Sequence, residues 1–137
     1  MKTARFDGWL TAIVVVHLLI SFVHGSAHDG GHVMLTPMQS IFVYGVILAG
    51  PLAGLLLFAF SARAGALLVT ATMAGSLLFG LINHFIIVSP DHVSQVAAEW
   101  RTLFTATAAL LVASEAAGVL AGVRALRTTS RRREVPS

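Results

Sequence analysis

The stretch GWLTAIVVVHLLISFVHGSA, residues 8–27, decides how this chain is read: it holds no Asp, Glu, Lys or Arg, yet carries two histidines. About 20 apolar residues suffice to cross a hydrocarbon core of about 30 Å as a helix. Three more stretches, 38–60, 64–88 and 102–127, have similar length and character. The composition agrees: 56% of residues are hydrophobic, and 11% are charged against about 25% in ordinary soluble domains. Mean hydropathy is +0.84. These features predict an all-α integral membrane four-helix bundle, a single domain over 1–127 with a polar, basic, frayed cytoplasmic tail over 128–137. Lys2 and Arg5 before the first stretch, and Gly25-Ser26-Ala27 at its end, also fit a cleaved signal peptide. The histidines inside the stretch favour a retained membrane helix.

The basic residues set the expected orientation. Lys2, Arg5, Arg63, Arg124, Arg127, Arg131, Arg132 and Arg133 lie at the N-terminus, in the second connection and towards the C-terminus; only Arg101 lies elsewhere. The positive-inside rule then places both termini in the cytoplasm of a bacterial or archaeal inner membrane, with the connections around 28–36 and 89–101 outside. Trp9 and Trp100 are expected near opposite faces. The pI of 10.7 is explained by this topology, so the arginine run reads as an anchor touching anionic lipid and not as a nucleic-acid site. The chain has no cysteine, which excludes disulfides, thiolate metal ligands and thiol redox chemistry.

Local signals divide the helices. Thr36-Pro37-Met38-Gln39 is a capping box with proline at the first helical position. Pro51 interrupts the second helix, predicting a kink around Ile47. Ser61-Ala62-Arg63 is a tight turn that pairs the second and third helices as a hairpin. Thr72, Ser76, Gly80 and His84, spaced by four, give the third helix a small and polar face. Ser89-Pro90-Asp91 starts a short amphipathic outer-surface helix over Val93, Val96, Ala97 and Trp100, leading into the last membrane helix.

Ionisable groups are costly in a bilayer and mark functional sites there. His17, Ser21, His24 and His28 fall at i, i+4, i+7 and i+11, a stripe roughly 60° wide on one helix face. His24, His28, His84, His92 and Asp91 all map to the outer end of the bundle, where they form a candidate transition-metal site for copper, zinc or iron. Asp29 and Glu99 are further carboxylates at that level. Deeper in the bilayer, His17 and Glu115 stand at matching depth and are expected to face each other as an intramembrane polar pair.

This pattern indicates metal handling or a part in a membrane redox enzyme. Two other uses compete: a structural or assembly subunit without a cofactor, and an electron carrier binding b-type haem between His24 and His84, or a quinone in the same pocket. Expected partners are the lipid bilayer and other membrane subunits or a second copy of the chain. No phosphate-binding loop or nucleophile elbow is present, and whether the protein is an enzyme stays open.

Overall fold

A computed structural model describes residues 7–134, with side chains placed over 7–129. Lys2, Arg5 and the side chains of Arg131, Arg132 and Arg133 lie outside the described residues. Four helices carry the fold: α1 (Gly8–Gly30), α2 (Pro37–Phe60), α3 (Ala62–Ile86) and α4 (Ala98–Glu134). All four are long and apolar enough to cross a membrane. Large apolar side chains such as Val16, Leu19, Phe22, Leu56, Leu78 and Leu120 point outwards from them, as in a protein whose exterior is hydrocarbon and not water.

The starts and stops follow local chemistry. Asp7 caps α1 by accepting from the backbone N–H groups of Trp9 and Leu10. The capping box at Thr36 and Gln39 is formed in both directions. One residue, Ser61, in extended conformation, separates α2 from α3. The hairpin is tight because glycines meet on it. A Cβ on Gly54 would lie 2.9 Å from the backbone N of Val69, and one on Gly65 would strike the Phe58 backbone. Backbone cannot yield as a flexible side chain does. Gly65→Ala is therefore expected to destabilise the protein by about 1–3 kcal/mol, seen as an earlier unfolding transition in detergent.

The helices pack in the order α2, α3, α4, α1, while α1 and α2 barely touch. The seam of α1 buries Leu10, Val14, His17, His24 and Ala27, a period near 3.6. α4 buries Phe104, Thr107, Leu111 and Glu115, and closer to the chain end Gly118 and Gly122, which lie against Met73 and Thr70 of α3. Towards the chain ends, Leu10, Val14, Phe58, Val69 and Met73 form the apolar core. At the far end, where the connections after α1 and α3 lie, Ala27, Val33, Val96 and Phe104 form a second. Trp100 packs flat on Gly30, where any Cβ would overlap its indole.

Three features depart from the sequence reading. The segment 87–97 is not a helix but a series of turns, closed by bonds such as His92 N–H to Ser89 O and Gln95 N–H to His92 O. Its Val93 N–H reaches back to His84 O at 3.0 Å, which folds the segment over the bundle end; that tertiary bond takes the donor a helix would have used. Second, α4 continues past Arg127 to Glu134, with the Thr128 and Thr129 hydroxyls bonded to Ala125 O and Leu126 O. Third, α2 and α3 each contain a π-helical stretch, Val43–Ala49 and Leu81–Ile86. Such widened turns recur at functional sites. The first lies just before Pro51, where the sequence predicts a kink, and the second carries His84.

Candidate metal centre

His24 and His28 project from consecutive turns of α1, and His84 meets them from the π-helical end of α3. Their ring centroids lie 4.8 Å (His24–His28), 4.9 Å (His24–His84) and 5.8 Å (His28–His84) apart. One nitrogen from each falls within 4.8 Å of the other two. Phe104 of α4 forms the floor, its ring 4.6–5.2 Å from all three imidazoles, and it is fully buried. A dry, apolar wall of this kind strengthens every electrostatic interaction inside it.

Hydrogen bonds fix which nitrogen of each ring is free. The Thr107 hydroxyl donates to Leu103 O at 2.7 Å, so its oxygen accepts from His24 Nδ1–H at 2.8 Å. His84 Nδ1 lies 3.0 Å from the Asp91 carbonyl, which can only accept, and 3.2 Å from Asp91 Oδ1. Both Nδ1 atoms therefore carry the proton, and both Nε2 atoms present lone pairs. Those two Nε2 atoms face each other at 3.3 Å. Two lone pairs at that distance repel unless a cation lies between them. A tetrahedral ion bound at about 2.0–2.1 Å to each nitrogen would set them about 3.3 Å apart.

His28 completes the set differently. Its Nε2 lies 3.4 Å from Asp91 Oδ1, while its Nδ1 is buried with no hydrogen-bond partner among the described residues. Each imidazole thus has one nitrogen against an oxygen acceptor and one left over, the arrangement that orients metal-binding histidines. Asp91, 2% exposed, bonds His84 through its backbone carbonyl and sets its carboxylate 3.2–3.4 Å from His84 and His28 without a hydrogen bond, and the folded-back segment 87–97 delivers it. His92 is not in the group: its Nδ1 is engaged by the Ser94 hydroxyl and N–H within its own turn, because the chain reverses between Asp91 and Val93. Asp29 and Glu99 are exposed. The contacting rings of His24 and His84 leave no room for a macrocycle between them, as a haem held by both would need.

The deeper pair is also close. His17 is fully buried on α1, and its Nδ1 lies 3.9 Å from Glu115 Oε1, too far for a hydrogen bond. Its Nε2–H instead donates to Ile47 O at 3.0 Å. The sequence reading missed that bond, although its cause is visible in the chain: Pro51 has no N–H to give the carbonyl four residues before it. Thr107 and Phe104 were also missed; their one signal is a spacing that places them on the Glu115 face of α4.

A cavity of about 720 Å³ joins the two constellations. It occupies the gap between α1 and α2, and is lined by the three clustered histidines, Asp91 and Glu115, with apolar walls from Leu18, Ile47 and Phe79. Compared with protein-family models, with curated proteins and with solved structures, the chain has no significant match.

Proposed function

We propose that this is an integral membrane protein that holds one transition-metal ion on His24 Nε2, His84 Nε2 and His28 Nδ1, near the non-cytoplasmic face. The observation that carries the reading is the opposition of two buried Nε2 lone pairs at 3.3 Å, each enforced by a hydrogen bond on the far side of its ring. Three imidazoles with Asp91 beside them suit zinc, copper or iron. Three protein ligands with one position left for another molecule is the pattern of catalytic and transfer sites; structural sites are closed by four. The fourth side here adjoins the cavity, which favours a redox or ligand-activating role within a membrane enzyme over storage. The positive-inside pattern supports cytoplasmic termini, and the closure of the site by 87–97 leaves lateral contacts to other subunits on the exposed helix faces.

Elemental analysis of the purified chain, followed by cobalt(II) loading, tests this. The expected result is about one ion per chain and the intense visible bands of low-coordinate cobalt, lost on adding a zinc excess. Sub-stoichiometric metal with weak, octahedral cobalt bands overturns the reading and leaves a structural subunit.

A further inference from the structure

Glu115 is the second unresolved group in the cavity. It is 2% exposed, lines the cavity, and its Oε2 has no hydrogen-bond partner among the described residues. A buried polar atom without a partner is destabilising, so Oε2 is open to a hydrogen bond from or to a group that enters the cavity. Gly80 makes the connection to the metal centre: a Cβ there would lie 3.8 Å from Glu115 Oε2 and 3.9 Å from His84 Cδ2. Any side chain at position 80 would fill the space between the two.

The cavity opens at the bundle end, past Asp29 and Met34, and also along the side between α1 and α2. Phe22 of α1 is 79% exposed and Tyr44 of α2 is 69% exposed, and both line it. In a membrane-inserted bundle these residues meet lipid, so the side opening admits a molecule dissolved in the bilayer. The polar end sets the chemistry of its head. The Asp91 and Asp29 carboxylates in the lining would repel an anion, and three imidazoles around a metal would repel a cation. An uncharged head with oxygen acceptors meets both: the Glu115 acid donates to one oxygen, and another turns towards the metal side. Phe79 and Tyr44 suit a flat ring, and Leu18, Ile47 and Leu48 suit a hydrocarbon tail.

We infer that the cavity between α1 and α2 is a binding site for a prenylated quinone or quinol, which enters from the lipid phase and places its ring between Glu115 and the three-histidine centre. This rests on the proposed metal reading for the role of the ring's inner edge, but the binding itself is separable.

The test uses the full chain in nanodiscs and a photoreactive azidoquinone, with decylubiquinone as competitor. Labelling is expected to saturate, to fall at least fivefold with excess decylubiquinone, and to map to peptides containing Tyr44 or Phe79. Gly25 lines the cavity and has open space around its Cα. Gly25→Leu should therefore block the mouth and cut labelling at least fivefold while zinc binding is retained. Glu115→Leu should cut it similarly, and Glu115→Gln should restore most of it, because an amide still donates. Labelling that does not saturate, or that neither Gly25→Leu nor Glu115→Leu reduces, overturns the quinone site. Zinc titration on the same samples separates the two ideas: competed labelling without metal binding defeats the metal reading alone, and zinc binding without competed labelling defeats the quinone site alone.

Discussion

Replacing His84 or His24 by alanine is expected to lower zinc affinity by more than about 100-fold, the largest effect of any single change in this protein. Each removes an Nε2 from the facing pair at 3.3 Å, and two remaining imidazoles cannot enclose an ion. Thr107→Val should cost less, about 10–100-fold, as loss of a partner that orients a metal-binding histidine does, and Asp91→Asn, which keeps the carbonyl on His84 Nδ1, should cost less again. Thr107→Val frees His24 Nδ1 from its 2.8 Å bond, so the ring is no longer held with Nε2 towards His84. His92→Ala should leave affinity within about twofold, because that ring is bound to Ser94 and not to the cluster. Competition against a chromophoric chelator in detergent gives the ranking. Equal affinities for His84→Ala and His92→Ala would sink the assignment of ligands.

The second large effect is expected at His17. Its Nε2–H supplies Ile47 O with a donor where Pro51 cannot offer the usual backbone one. His17→Leu leaves that carbonyl short of a partner in an apolar setting, at a cost of about 1–3 kcal/mol. Pro51→Ala returns an N–H four residues after Ile47. In the Pro51→Ala background, His17→Leu should therefore cost less by about 0.5–3 kcal/mol, the range for residues that share a partner. Unfolding of the four variants in mixed micelles measures the coupling, and strict additivity would show that the bond contributes nothing. Glu115 contributes separately: at 3.9 Å from His17 Nδ1 it is a neighbour and not a hydrogen-bond partner.

Much of the site was legible because helix geometry is local. Spacings of three, four and seven place Leu10, Val14, His17 and His24 on one face of α1 whatever surrounds it. Depth is equally local, since it follows from counting residues along each span, and this brought His84 to the level of His24 and His28. Pro51 and Ser61 were readable for the same reason: one lacks a donor, and the other ends a run of apolar residues. What failed was the segment 87–97, where a helix start at Ser89-Pro90-Asp91 was overruled by one bond between Val93 N–H and His84 O.

The sequence by itself determined four apolar helices, their order along the chain, and which ionisable residues within them turn inwards, because a polar group is costly on an apolar helix face. Only the tertiary structure decided what those residues do to one another. Choosing Asp91 over His92 required the chain to reverse within two residues. The protonated nitrogen of each imidazole depended on Thr107 and on a carbonyl of the folded-back segment, from parts of the chain remote from His24. The cavity lies where α2, drawn against α3 at Gly50 and Gly54, meets α1 through little besides the His17–Ile47 bond. Rotation about a helix axis and the distance between two helices are set by side chains meeting across the gap, and no period along one strand of sequence encodes them.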